Sequence, residues 1–234
     1  MKKLLTFVIM QILFVIIIFP DDFREAVDSI IITREMVSPT ENSNAMEAYN
    51  TGNSLMRQNK FKEAEEYYIL AIDLDENYVD AMDQLGIVYR HLEKYQESEY
   101  WYLKSISINS NNIVPYINLA LVYRLQGRYE DARQTYLKAQ KIDQDDPEPY
   151  FGIGMLYQIV GQYDLSIDFM SIAIQKYKEK NSMLICSAFY AQGNNYNYKE
   201  ELDEALKYYK LALLGYPDNE EINIKIKEIE SMLK

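Results

Sequence analysis

Apolar and polar residues recur along most of the chain with a period of 34 residues. Within each period, two stretches place apolar side chains at i, i+4 and i+7, the spacing of one face of an α-helix. Residues 113–146 show this pattern most completely, as two helical stretches that are joined at Gln126, Gly127 and Arg128. The sequence therefore predicts repeated pairs of amphipathic helices.

Five units align on this period and predict a stacked, all-α architecture. They cover residues 45–78, 79–112, 113–146, 147–185 and 186–219. Position 8 of each unit holds a small residue, namely Gly52, Gly86, Ala120, Gly154 and Gly193. Position 24 holds a large one, namely Tyr68, Tyr102, Tyr136, Met170 and Tyr209. Small residues let two helices approach closely, and one pair cannot bury both of its apolar stripes, so neighbouring pairs must stack.

These repeated positions resemble the tetratricopeptide repeat. The resemblance covers residues 45–219, about three-quarters of the chain. It implies a right-handed superhelical solenoid of five antiparallel helix pairs. The sequence departs mildly from the family pattern where the family often has Trp, since those positions hold Ala48, Met82, Tyr116, Tyr150 and Phe189.

The spacing breaks once, between the fourth and fifth units. Five extra residues fall within residues 175–185. We expect the second helix of the fourth unit to continue to about Lys180. Asn181 or Ser182 would then cap a lengthened first helix of the fifth unit.

A terminal helix is predicted for residues 220–234, after the turn at Pro217. Asp218 and Glu221 have the spacing of a capping box. The apolar stripe of this helix would be Ile222, Ile226, Ile229 and Leu233. Such a helix would cap the open end of the solenoid.

The amino-terminal segment predicts a membrane anchor. Residues 4–19 contain only two polar side chains, Thr6 and Gln11. As a helix this run would span roughly 24 Å, and a hydrocarbon core of about 30 Å is within reach if flanking lysines snorkel or the bilayer thins. No small-residue cleavage site follows it. We therefore predict an uncleaved signal anchor and transmembrane helix in residues 1–22. A cleaved signal peptide, which would give a secreted protein, and a buried amphiphile are the alternatives.

The charges around this run predict its orientation. Lys2 and Lys3 precede it, and Asp21 and Asp22 follow it. The positive-inside rule then places the amino terminus in the cytoplasm and the repeats on the extracytoplasmic side. Residues 23–44 are predicted to form a partly helical linker, with Phe23, Val27, Ile30 and Ile31 at helical spacing.

Composition argues against several classes of function. The net charge of −12 disfavours nucleic-acid binding, which needs a basic face. His91 is the only histidine and Cys186 the only cysteine, and the chain has no CxxC, P-loop or HExxH motif. We therefore predict no enzyme activity, no catalytic residues, no metal site and no cofactor. An enzyme with an unrecognised site is a remote alternative.

The family resemblance implies a partner-binding groove along the first helix of each unit. Positions 5, 9 and 12 form a stripe separate from the packing stripe. The groove residues predicted on or near this stripe are Tyr49, Asn53, Ile87, Arg90, Ile117, Leu121, Arg124, Phe151, Met155, Tyr190 and Asn194. Position 5 also includes Asp83. A groove with apolar residues and two arginines suits an extended peptide or an amphipathic helix that carries apolar anchors and an acidic group.

Some family members hold a partner's terminal carboxylate in a clamp of Lys, Arg and Asn side chains. Here the corresponding positions are Tyr49, Asn53, Gln84, Val114 and Asn118, of which only Asn53 matches. A clamp of this type is not expected. We predict a membrane-anchored scaffold that binds a protein or peptide in its groove. The alternative is an assembly subunit of an oligomeric secretion or envelope-biogenesis complex.

Overall fold

A computed structural model of the protein describes residues 40–234. These residues contain eleven α-helices and no strand. The first six helices are α1 (Ser43–Met56), α2 (Phe61–Leu74), α3 (Val79–His91), α4 (Tyr95–Ile108), α5 (Ile113–Leu125) and α6 (Tyr129–Ile142). The remaining five are α7 (Glu148–Ile159), α8 (Tyr163–Glu179), α9 (Ile185–Tyr198), α10 (Leu202–Ala212) and α11 (Glu220–Met232). The predicted all-α fold is confirmed for this part of the chain.

The helices stack in chain order. Each odd-numbered helix from α1 to α9 packs on the next helix, and the short turn between them makes the two run in opposite directions. The second helix of each pair then packs on the first helix of the following pair. The first helices α3, α5, α7 and α9 also contact one another in sequence. This succession of neighbouring contacts is a solenoid.

Close approach within a pair depends on the small residue at position 8. A Cβ atom added to Gly86 would lie 2.6 Å from the ring of Tyr102. At Gly52 and Gly193 it would lie 2.7 Å from the rings of Tyr68 and Tyr209. These three tyrosines are completely buried. The small residues at position 8 and the large residues at position 24 therefore form the contact surface between the two helices of each pair.

The turn inside each pair has one residue in the left-handed conformation, always at the same position of the repeat. Positive φ angles occur at Asn59 (57°), Glu93 (57°), Gly127 (74°), Gly161 (76°) and Glu200 (60°). The next residue in each case donates its backbone N–H to the carbonyl five residues earlier, as Lys94 does to Tyr89 at 2.8 Å. This is the pattern of a Schellman motif, which ends a helix and favours glycine at the left-handed position. Glutamate at this position is strained.

Replacing Glu93 or Glu200 with glycine should therefore stabilise the protein. We expect each change to raise the free energy of unfolding by about 1 kcal/mol, because glycine has no Cβ to strain the left-handed conformation. Urea unfolding of the full chain measures the change. Glu97→Gly is the matched control, since this exposed residue lies inside α4 and glycine there should destabilise by about 1 kcal/mol. A loss of stability in Glu93→Gly would contradict a strained left-handed conformation at this residue.

The connection between α8 and α9 differs from the expected one. α8 has 17 residues and ends at Glu179, close to the predicted end. The prediction that Asn181 or Ser182 caps a lengthened α9 is wrong, because α9 begins at Ile185. Asn181 takes a positive φ of 49°, and the backbone N–H of Ser182 donates to Tyr177 O at 2.9 Å. These two residues close α8, and Ser182 Oγ accepts a hydrogen bond from Leu184 N at 3.3 Å, in the turn before α9. The N-cap of α9 is Leu184.

The terminal helix α11 packs on α10 and buries Ile222, Ile226 and Ile229. Its N-cap is Asn219, whose Oδ1 accepts a hydrogen bond from Ile222 N at 2.9 Å. The predicted capping box starting at Asp218 is therefore wrong by one residue. Leu233 does not extend the apolar stripe, because it lies beyond the last helical residue and is 45% exposed.

The predicted anchor at residues 4–19 and most of the predicted linker lie outside the described residues. Within residues 40–234, none of the helices combines the length and the hydrophobicity needed to cross a bilayer.

Candidate functional site

The predicted groove residues lie on the five first helices α1, α3, α5, α7 and α9. Asn53 and Arg124 are partly exposed. The other nine are at most 9% exposed, and they are Tyr49, Ile87, Arg90, Ile117, Leu121, Phe151, Met155, Tyr190 and Asn194. The stripe is therefore mostly covered, and its role in binding a partner stays a prediction.

The two ends of the stripe contribute to packing. Asn53 Oδ1 accepts a hydrogen bond from the hydroxyl of Tyr68 at 2.6 Å. Asn194 Oδ1 accepts one from the hydroxyl of Tyr209 at 2.7 Å. Tyr190 donates its hydroxyl proton to Glu221 and so links α9 to α11. These predicted groove residues hold the first and fifth helix pairs together, which sequence reasoning did not anticipate.

The middle of the stripe contains a buried carboxyl group. Asp83 is 4% exposed, and its Oδ2 accepts a hydrogen bond from Asn112 Nδ2 at 3.2 Å. The pKa of Asp83 is raised to about 8, mainly by burial and to a smaller degree by the negative charge of Asp80, while the hydrogen bond from Asn112 opposes the rise. At neutral pH this side chain is therefore mainly protonated and neutral.

Asn118 on α5 is a buried amide without hydrogen-bond partners. It is 1% exposed. Among the described residues, neither its Oδ1 nor its Nδ2 has a hydrogen-bond partner, and Asp83 Oδ1 has none either. Buried polar atoms are rarely left unsatisfied, because each one costs about 1–3 kcal/mol. The sequence signal was available, since Asn118 is an amide inside the otherwise apolar run of α5.

Arg90 and Arg124 both act on the hydroxyl of Tyr136. Burial raises the pKa of Tyr136 to about 12, and both guanidinium groups oppose that rise. Arg90 also opposes the rise in the pKa of Tyr102 that burial causes. Glu148 acts on the same hydroxyl in the opposite direction, so the surroundings of Tyr136 contain charges of both signs.

Comparisons with known proteins agree with this arrangement of helices. Models described as "Tetratricopeptide repeat" match residues 49–113 and 101–134, and one described as "TPR repeat" matches residues 120–161. Together these matches cover residues 49–161. No curated protein sequence matches the chain at a significant level.

Solved structures support the same fold over a longer part of the chain. A thermophilic TPR protein of Thermus thermophilus superposes with a TM-score of 0.66 at 16% identity, covering 79% of this chain and 98% of that one. YrrB, described as a TPR protein with an unusual peptide-binding site, gives 0.55 at 22% identity, covering 88% and 97%. The APC/C hetero-tetramer Cut9–Hcn1 gives 0.73 at 15% identity, covering 89% of this chain and 39% of that one. At these identities the likeness concerns the fold alone.

Several buried polar groups between the fourth and fifth tetratricopeptide-like pairs are joined by hydrogen bonds, unlike Asn118. Gln158 Nε2 donates to Asn195 Oδ1 at 2.6 Å and to Ala191 O at 2.9 Å. Asn195 Nδ2 donates to Ser166 Oγ at 2.8 Å, and that hydroxyl donates to Gly154 O at 2.8 Å. This buried chain of hydrogen bonds links α7, α8 and α9. Its role is structural, which leaves the α3–α5 region as the candidate site.

His91 and Cys186 both lie in packed surroundings. The ring of His91 stacks on Phe61 with centroids 4.4 Å apart. Cys186 is buried, and burial raises the pKa of its thiol. Within the part of the chain that the structure describes, no three His, Cys, Asp or Glu side chains are grouped to hold a metal ion.

Proposed function

We propose that the repeats form a scaffold that binds a peptide segment of a protein partner across α3 and α5. The observation that carries this proposal is the unsatisfied, buried side chain of Asn118. An amide has both a donor and an acceptor, which match the C=O and N–H groups of an extended peptide backbone. A peptide that made these bonds would remove the cost of burying them unpaired.

The residues around Asn118 define the chemistry of the partner. Ile117 and Leu121 lie on the neighbouring stripe of α5 and offer contact to apolar side chains. Arg124 is partly exposed at the carboxyl end of the same helix, and its charge would favour an acidic side chain on the bound segment. The partner segment would therefore have apolar anchors and one acidic side chain.

Known repeats of this type support a binding role. Tetratricopeptide repeats generally mediate interactions between proteins, and three models of the repeat match this chain. YrrB, which resembles the chain in fold, is described as having a peptide-binding site. That description concerns YrrB, and it makes a peptide a reasonable first choice of ligand here.

A charge reversal tests the proposed site. We expect Arg124→Glu to weaken co-purification of the partner by about tenfold, because a carboxylate would replace the guanidinium that pairs with the partner's acidic group. Arg133→Glu is the matched control, since Arg133 lies on the second helix α6, and we expect it to leave co-purification unchanged. Equal effects of the two reversals would contradict binding across α3 and α5. Circular dichroism checks that both variants fold.

We also propose that residues 4–19 anchor the scaffold in a membrane, with the repeats on the extracytoplasmic side. The support is the length and hydrophobicity of this run and the charges on each side of it. Deletion of residues 1–20 should release the protein from the membrane fraction. Retention of the deletion variant in that fraction would contradict the anchor. Loss of residues 1–20 from the mature wild-type protein would favour the secreted alternative.

One observation favours the alternative role as an assembly subunit. Several large apolar side chains on the second helices are exposed, including Tyr100 (58%), Leu103 (46%) and Leu70 (45%). Apolar groups on this face would suit contact with other subunits. Loss of a complex in Leu103→Glu, without loss in Arg124→Glu, would support this alternative.

A further inference from the structure

The second helix pair, α3 and α4, differs from the other pairs at two buried positions. Position 27 holds Ser105, whereas the other four units have alanine there, namely Ala71, Ala139, Ala173 and Ala212. Position 5 holds Asp83, whereas the other four units have larger side chains, namely Tyr49, Ile117, Phe151 and Tyr190. A hydroxyl and a carboxyl group therefore lie inside this pair, where the other pairs have a methyl group and a larger side chain.

The residue at position 5 packs beside the tyrosine at position 24 in the first and fifth pairs. The ring centroids are 5.9 Å apart in both, for Tyr49 with Tyr68 and for Tyr190 with Tyr209. In the second pair, burial raises the pKa of Tyr102, and the negative charge of Asp83 adds to that rise, so these two groups are also neighbours. Because aspartate is much shorter than tyrosine, Asp83 fills less of the space beside the ring of Tyr102.

Three polar atoms of the second pair have no hydrogen-bond partner among the described residues. They are Asp83 Oδ1, Tyr102 Oη and Ser105 Oγ. The other carboxyl oxygen, Asp83 Oδ2, accepts a hydrogen bond from Asn112 Nδ2 at 3.2 Å. Asn112 is itself held in place, because its Oδ1 accepts a hydrogen bond from Val114 N at 3.1 Å and so caps α5. One oxygen of Asp83 is therefore fixed by the protein, and the other is available for a further partner.

Similar hydroxyl groups elsewhere in the chain do have protein partners. Ser98, which lies in the same helix as the unpaired serine, donates to Gly86 O at 2.7 Å. At position 24 of the first pair, Tyr68 donates to Asn53 Oδ1 at 2.6 Å. The second pair has Ile87 in place of that asparagine, which offers no side-chain acceptor. The unpaired hydroxyl groups are therefore a local property of the second pair and not of the repeat.

The surroundings of these atoms suit a small, neutral ligand. Burial raises the pKa of Asp83 and the nearby hydroxyl of Ser105 partly opposes that rise, but no hydrogen bond involves Ser105 Oγ. Tyr102 and Ser105 are fully buried, so an occupant must be small. The carboxyl group is mainly neutral at pH 7, which disfavours a cation. Water fits these conditions, because a buried water bridges about 2–4 polar groups that the protein leaves unpaired.

We propose that Asp83, Tyr102 and Ser105 hold an ordered water molecule between α3 and α4. The water accepts hydrogen bonds from the hydroxyl groups of Tyr102 and Ser105 and forms a third bond with Asp83 Oδ1, so all three atoms are satisfied. It takes the place of the contact that the ring at position 5 makes in the first and fifth pairs. This inference does not depend on the proposed function, because the water lies inside one helix pair.

A high-resolution crystal structure of the full chain tests the site directly. We expect electron density for a water molecule within hydrogen-bond distance of Asp83 Oδ1, Tyr102 Oη and Ser105 Oγ. A direct hydrogen bond between Asp83 and either hydroxyl group, with no water between them, would overturn the proposal. A side chain from residues 1–39 at this place would overturn it as well, since the partner would then belong to the chain itself.

Oxygen-17 magnetic relaxation dispersion tests the same site in solution, because it detects water molecules that stay inside a protein. Asp83→Ile gives the second unit the residue type found at position 5 of the third unit, and should remove the contribution of a single long-lived water. Ser98→Ala is the matched control, since it removes a buried hydroxyl that already bonds to Gly86 O, and should keep that contribution. Equal dispersion in wild type and Asp83→Ile, or the same loss in both variants, would overturn the proposal. Circular dichroism checks that both variants fold, and the crystal structure needs no variant.

Discussion

Replacing Tyr102 with alanine should lower the free energy of unfolding by about 3–5 kcal/mol, as is typical of large aromatic residues in a core. The ring of Tyr102 is completely buried. It fills the space next to Gly86, where even an added Cβ would lie 2.6 Å from it. The neighbouring helices cannot collapse into the resulting cavity without changing the stacking of the second pair. Urea unfolding of the full chain at constant pH measures this loss.

Tyr100→Ala is the matched control for this prediction. Tyr100 lies in the same helix as Tyr102 but is 58% exposed. Its replacement should change the free energy of unfolding by no more than about 0.5 kcal/mol, as surface substitutions usually do. Similar losses for the two variants would contradict the packing between positions 8 and 24.

Replacing Asp83 with asparagine should remove a dependence of stability on pH. The pKa of Asp83 is raised from its ordinary value of 3.8 to about 8 in the folded protein, mainly by burial. Between these two values the folded state keeps a proton that the unfolded state releases. Stability therefore falls as pH rises through this range, by about 1.4 kcal/mol per pH unit. Subtracting the wild-type stability from that of Asp83→Asn at each pH cancels the contributions of all other groups.

The measurement is the free energy of unfolding of wild type and Asp83→Asn at several pH values between 5 and 8. The difference between them should grow with pH, with Asp83→Asn becoming the more stable protein. Asp73→Asn changes an exposed carboxylate near the end of α2 and serves as the control. If the free energy of unfolding changes with pH equally in wild type and Asp83→Asn, Asp83 is not buried as described.

The helix pairs were predictable because their contacts repeat within each unit. Gly86 and Tyr102 are separated by a fixed interval that recurs in the other units, so the sequence itself displays the packing. The left-handed turn residue was not predicted, because Glu93 and Glu200 have no local preference for positive φ. Gly127 and Gly161 stand at the aligned position and were the available signal.

Helix boundaries outside the regular period were harder to predict. Asn181 was expected to begin a helix, but it ends one, since asparagine suits both an N-cap and a left-handed turn. The same ambiguity displaced the cap of α11, where Asn219 and its neighbour Asp218 are both good capping residues. The choice depends on tertiary packing, which the local sequence does not contain.

The helices that carry the candidate site were predictable, but the burial of its residues was not. Periodicity identified the stripe of Ile117, Leu121 and Arg124 on α5. It could not show that Ile87 and Arg90 on α3 are covered, because coverage depends on segments distant in sequence. Asn118 was considered only as a clamp position, and its importance follows from its unsatisfied burial among the described residues.

A photoreactive residue at position 124 of the full chain tests most directly whether a partner binds across α3 and α5. The same residue at position 103 probes the opposite face, where Leu103 is 46% exposed. In cells, position 124 should capture a partner through a segment with apolar anchors and an acidic side chain. Capture of the same partner from position 103, with none from position 124, would contradict the proposed site.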